Sequence, residues 1–157
     1  MRELDFEPIK SKEQFLENYN KHDVAMDVFK NYCRKFPGLF VFPYGEDSRN
    51  KKVWAQGNDK PDLRAYFKPT KNTSLIDVKG HTNRNFMINK RAYDSYINWG
   101  NKLHHRVFII WVLINEGLMF WNELPFSDFI IDVMPHDGNT VVKVKSFVNP
   151  ISELPLF

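Results

Sequence analysis

Val107 to Ile114 is an unbroken run of eight apolar residues, Val-Phe-Ile-Ile-Trp-Val-Leu-Ile. It is far too short to span a bilayer, which takes about 20 residues as a helix. β-Branched and aromatic side chains fill it without polar alternation. It therefore reads as a strand, Arg106 to Ile114, buried on both faces of a sheet. Such a strand needs a covering layer on each side, and a mixed α/β domain supplies one.

The flanking sequence fits that domain. Ser11 and Gln14 form a capping box that opens a helix from Ser11 to about Asn20. A second helix runs from about His22 to Lys35, with Val24, Ala25, Val28, Phe29, Tyr32 and Phe36 at helical spacing, and Pro37-Gly38 stops it. Leu39 to Phe42 reads as a strand, and Tyr44 to Lys60 as a polar loop. Asp62 to Phe67 and Ser74 to Lys79 read as two strands joined by a turn at Lys68 to Asn72. Gly80 to Asn85 is a polar loop, and Asn89 to Trp99 an amphipathic helix. Leu118 to Trp121 pairs with the apolar strand through Asn115-Glu116-Gly117. Phe129 to Met134 and Val141 to Val148 flank His136-Asp137-Gly138-Asn139, a hairpin signal. The 157 residues suffice for one domain, 1–157, with its core at about 20–148 and a loosely held tail at 149–157.

The chemistry concentrates on one strand. Period two places Asp77 and Lys79 on one face of Ser74 to Lys79, and Ile76 and Val78 on the other. An acid and a lysine on a sheet face cost stability unless they are used or solvated. Asp62 opens the preceding strand, so a hairpin through the Lys68 to Asn72 turn brings it close to Asp77. Two converging carboxylates make a site for a hard cation such as Mg²⁺, which prefers a few carboxylates, several waters and phosphate oxygens. The backbone carbonyl of Val78 can complete the shell. Lys79 can orient an attacking water or stabilise charge on a pentacovalent transition state.

Pro61-Asp62 followed by Asp77-Val78-Lys79 resembles the motif of the PD-(D/E)XK nuclease superfamily, which includes restriction enzymes, archaeal Holliday junction resolvases, phage exonucleases and transposon-end nucleases. The resemblance covers about residues 20 to 115. It implies a restriction-endonuclease-like fold, a central mixed β-sheet flanked by helices. It also implies that Asp62 and Asp77 bind Mg²⁺ or Mn²⁺ and that Lys79 assists the attacking water. The superfamily often adds an acid on the helix before the first strand. Asp23 is the best match here, with an N-terminal cap or dipole-favouring acid as its other reading. Glu17 is a weaker candidate. Among residues after the lysine, Lys90 can meet a phosphate or be a solvated helix-start lysine. His81 can touch substrate or be an exposed loop histidine. Tyr93 reads as core.

Other features narrow the function. Arg49, Lys51, Lys52, Lys60 and Arg64 surround Trp54, which suits phosphate tracking and base stacking as well as a solvated loop. His104-His105, read as a strand start, point to opposite faces and share no ligand. A formal net charge of +3 permits an anionic partner without demanding one. The single cysteine, Cys33, excludes a disulfide framework and a cysteine-rich zinc site within the chain, and it reads as a buried thiol. No Gly-rich phosphate loop and no Gly-x-Ser-x-Gly elbow occur. The start of the chain has no apolar signal core, so a soluble cytoplasmic protein without membrane contact or small-molecule cofactor is expected.

Together these features lead to a Mg²⁺-dependent deoxyribonuclease, more an endonuclease than an exonuclease, of the kind carried by phages or mobile elements. DNA is its expected partner, and it would act as a homodimer because two strands of a duplex are commonly cut by two copies of one site. The alternative is a catalytically silent nuclease-like fold serving as a nucleic-acid-binding or protein-interaction module.

Overall fold

In the computed structural model, residues 2–10, 21–45, 59–145 and 148–157 are described. The apolar run forms β5 (Arg106–Leu113) and lies inside a six-stranded sheet, between β3 (Asn72–His81) and β6 (Leu118–Glu123). β1 (Leu39–Pro43) and β2 (Leu63–Phe67) extend the sheet beyond β3, and β9 (Asn149–Pro150) closes the far edge beyond β6. β3 and β5 run parallel, and every other neighbouring pair is antiparallel, so the sheet is mixed. A parallel pair needs a crossover. Here it is made by β4 (Met87–Asn89) and the helix α2 (Lys90–Leu103). β4 also starts a second, three-stranded sheet with β8 (Thr140–Val144) and β7 (Phe129–Val133).

The helices cover opposite faces of the large sheet. Phe108, Ile110 and Val112 of β5, with Ile76 and Val78 of β3, pack under α1 (Lys21–Cys33) against Ala25, Met26 and Phe29. Val107, Ile109, Trp111 and Leu113 turn the other way, toward Ala92, Tyr93 and Tyr96 of α2 and toward Ile88 and Val142 of the small sheet. β5 is thus buried on both sides, as its unalternating composition requires. Two glycines let the layers close. A Cβ on Gly80 would lie 2.4 Å from the Lys21 carbonyl oxygen, so the start of α1 abuts β3 one residue beyond Lys79. A Cβ on Gly100 would lie 2.7 Å from Val107 Cγ2, so α2 continues through this glycine while pressed against β5.

Several expectations are corrected. The tail is not loose: β9 pairs with β6, and Ile151, Leu154 and Leu156 are buried in the α1-side core. Tyr32 Oη donates to the Ile151 carbonyl at 3.3 Å and Trp121 Nε1 to that of Pro150 at 3.0 Å. Three apolar side chains in this short segment suffice, because the α1-side core takes them in. The helix read as ending at Trp99 continues to Leu103, and the strand read as ending at Lys79 continues to His81. His104 is not on a strand but is the left-handed cap of α2, with φ 57°. β4 was not anticipated, since three residues carry no periodicity and its partner β8 lies far along the chain. The expected helix Ser11 to Asn20, Glu17, and the basic segment holding Arg49, Lys51, Lys52 and Trp54 lie outside the described residues. Among the described residues no helix is long and apolar enough to cross a membrane.

Candidate active site

The hairpin register assembles the site. Leu63 of β2 pairs with Ile76 of β3, so Asp62, one step beyond, falls opposite Asp77. Strand alternation sends Asp77 to the α2 side, where it is 1% exposed, and Asp62 beside it is 9% exposed. The backbone N–H of Val78 donates to Asp62 Oδ2 at 3.0 Å and fixes that carboxyl. Tyr96 Oη, from α2, donates to Asp77 Oδ1 at 3.0 Å. Lys79 Nζ stands 3.0 Å from Asp77 Oδ2, an ion pair without a well-directed hydrogen bond. The lysine side chain is about a third exposed, while Asp77 beside it is almost wholly buried.

The electrostatics show how crowded the acids are. Burial, and then the Asp77 carboxylate within hydrogen-bonding reach, push the Asp62 carboxyl far above the usual carboxylate range. The Val78 N–H and Lys79 only partly oppose that shift. Burial alone would lower Lys79, but Asp77, Asp62 and then Asp59 outweigh it and strengthen the ammonium form. Burial and the same acids raise the Tyr96 hydroxyl well above its ordinary value, so it remains a donor.

Two buried carboxyls with too little positive charge between them suit a divalent cation. Asp77 Oδ2 has no directed hydrogen bond, and the available donors are hard oxygens. The residues present therefore fit Mg²⁺ or Mn²⁺. Among the described residues no three His, Cys, Asp or Glu side chains gather as a ligand cluster, so any shell beyond the pair must come from backbone carbonyls, water or substrate.

The remaining candidates are spread around this centre. Asp23 is in the first turn of α1, whose start abuts Gly80. His81 ends β3 with its ring edge-on to Phe86 and Trp111 at centroid distances of 5.3 and 5.4 Å. Burial, then Lys21 and Lys79, push His81 down to about 4, so it is neutral at physiological pH. Lys90 pairs with Asp94 at 2.6 Å. Arg64 Nη2 lies 3.0 Å from His105 Nε2, beyond the C-terminal end of α2 and not against the acid pair. Tyr93 is core, as expected, and accepts the Phe126 N–H at 3.1 Å.

Sequence reasoning missed Asp59 and its α2 partners. Asp59 is 6% exposed; Arg91 Nε donates to its Oδ2 at 3.1 Å, and Ser95 Oγ donates to its carbonyl at 2.6 Å. The only local signal is weak: an acid three residues before Asp62, and Arg91 and Ser95 one helical turn apart.

No family model matches the chain, and no curated protein matches it. The fold is similar to that of Hjc, a Holliday junction resolvase from the archaeal hyperthermophile Archaeoglobus fulgidus. The TM-score is 0.58 and the identity 10%, over 85% of this chain and 94% of that one. The likeness bears out the central mixed sheet flanked by helices in a single domain.

Proposed function

We propose that the chain is a divalent-cation-dependent deoxyribonuclease whose site is Asp62, Asp77 and Lys79. The observation that carries this reading is the β2–β3 register, which sets two buried carboxyls opposite one another with an ammonium 3.0 Å from one of them. The likeness in fold to a Holliday junction resolvase supports DNA as the substrate, and branched DNA belongs among the first substrates to try. Asp62 and Asp77, with the Val78 carbonyl, would hold Mg²⁺ or Mn²⁺. When bound, such a cation polarises a phosphoryl oxygen and acidifies a water. The Val78 N–H and the Tyr96 hydroxyl each hold one oxygen of the two carboxyls. Lys79 remains an ammonium, so it orients the water by donating hydrogen bonds and offsets charge gathering on the phosphorus oxygens. The protein would work in solution inside a cell as a homodimer. β7 is the surface suited to that contact, an edge strand exposing Phe129, Ile130, Ile131 and Val133.

One observation favours a second reading. Lys79 closes directly on Asp77, so the strand neutralises its own charge without a cation. A silent nuclease-like module that binds nucleic acid or protein would retain such a pair. Cleavage of supercoiled, single-stranded and four-way-junction DNA with Mg²⁺ or Mn²⁺ separates the two. The nuclease reading expects cation-dependent cleavage that Lys79→Ala abolishes. Inactivity of the wild type on all three DNAs, or equal cleavage by the variant, would sink it.

A further inference from the structure

Asp59 is a buried acid that the cation-binding pair does not use. Its Oδ2 accepts from Arg91 Nε at 3.1 Å, and its Oδ1 is buried with no partner among the described residues. A half-satisfied buried carboxylate is poor for stability. It does fix a guanidinium. Arg91 is about half exposed and is held through Nε, and neither terminal nitrogen has a partner among the described residues. A guanidinium anchored in this way still presents N–H donors from both Nη groups, suited to bidentate binding of a phosphate.

The surroundings match an anion. Lys90 next door is paired with Asp94, whereas Arg91, held by Asp59 through Nε, keeps both Nη groups without a partner among the described residues. α2 has no acid in its first turn and no side-chain cap at Asn89, so its own residues do not offset the positive dipole end. The place is beside the catalytic candidates. Ser95 and Tyr96, adjacent on α2, donate to the Asp59 carbonyl and to Asp77, and the Asp59 charge is felt at Lys79.

We propose that Arg91, positioned by Asp59, binds the nucleic-acid backbone at a phosphodiester next to the scissile one, gripping its non-bridging oxygens with Nη1 and Nη2. This rests on the nuclease reading of Asp62, Asp77 and Lys79. Asp59 is a positioning residue, and Arg91 is the group that touches substrate.

The test measures the affinity of labelled duplex and four-way-junction DNA in EDTA across a salt series. Arg91→Gln keeps a donor for Asp59 but removes the charge. It should weaken binding about tenfold and reduce the slope of log K against log salt by about one. Lys68→Gln removes the same charge from the turn at the opposite end of the β2–β3 hairpin and should change the slope far less. Arg91→Lys should restore the slope without the full affinity, since one ammonium cannot serve Asp59 and both phosphate oxygens. In cleavage assays Arg91→Gln should raise KM and leave kcat and the Mg²⁺-induced rise in Tm unchanged. Asp59→Ala should raise KM while keeping the salt slope, and Asp59→Asn, which retains an acceptor, should recover most of that KM. A wild-type slope in Arg91→Gln, or a loss no larger than that of Lys68→Gln, overturns the proposal while Lys79-dependent cleavage still stands. A wild type that neither binds nor cleaves DNA overturns both readings together.

Discussion

Ile76 and Val78 face α1, and Asp77 and Lys79, alternating with them on β3, face α2. On the α1 side Ile76 and Val78 join a cluster of buried apolar side chains, and burial there stabilises the fold. On the α2 side the same strand presses an acid against a second acid and a lysine, an arrangement that opposes stability without a cation. The contrast teaches that one strand can separate its two tasks by parity alone. Binding residues on one face are held rigid because the other face is locked into the core.

That contrast yields tests. The largest effect is expected on activity. Lys79→Ala or Asp77→Asn should lower cation-dependent cleavage at least about a hundredfold, and Asp77→Asn should raise the Tm of the cation-free protein. On the opposite face, Ile76→Ala should cost about 2–5 kcal/mol of stability and leave kcat nearly unchanged at a temperature where the variant is folded. Denaturant melts beside single-turnover cleavage check both. Matching losses of activity and stability in all three variants would erase the distinction between the faces.

The next effect is on pH dependence. The Asp62 carboxyl is raised from 3.8 to about 8, by burial first and Asp77 second. A folded value above the unfolded one means that the native state keeps a proton the unfolded chain has released. The Asp62 contribution to cation-free stability is therefore greatest below the ordinary carboxylate range and falls as pH rises toward about 8. A cation displaces that proton, so stabilisation by Mg²⁺ should grow across the same interval. Melting curves with and without Mg²⁺ show this directly, and Asp62→Asn should flatten the trend. A Mg²⁺ effect independent of pH would contradict it.

Smaller effects are expected farther from the pair. Tyr96→Phe removes the donor to Asp77 Oδ1, costing about 1 kcal/mol of stability and a modest share of kcat, read from the same melts and assays. Ile131→Lys on β7 should shift sedimentation equilibrium toward monomer while changing protomer stability by less than about 0.5 kcal/mol. An unchanged mass would remove β7 as the dimer surface.

How much was legible follows from range along the chain. The β2–β3 hairpin, the facing acids and the two-faced β5 were readable because parity and a short turn set them locally. β5 and β7 are both rich in apolar residues, yet Val107 to Leu113 of β5 are buried and β7 is exposed throughout. Composition marks a strand, but its place in the sheet depends on which distant segments pair with it. The tail differs from its sequence reading for the same reason: Ile151, Leu154 and Leu156 are buried in a core shared with residues of α1, β2, β5 and β6, all distant along the chain.

By itself, then, the sequence determined the alternation of β3, the pairing of Asp62 with Asp77, and the need for cover on both sides of β5. Each follows from backbone periodicity over a few residues. Only the tertiary structure decided that Tyr96 reaches Asp77 and that Asp59 holds Arg91. Those contacts depend on the angle and depth at which α2 docks on the sheet. That docking is set by the fit of Gly100 against Val107 and by the whole α2-side core, and no local pattern encodes it.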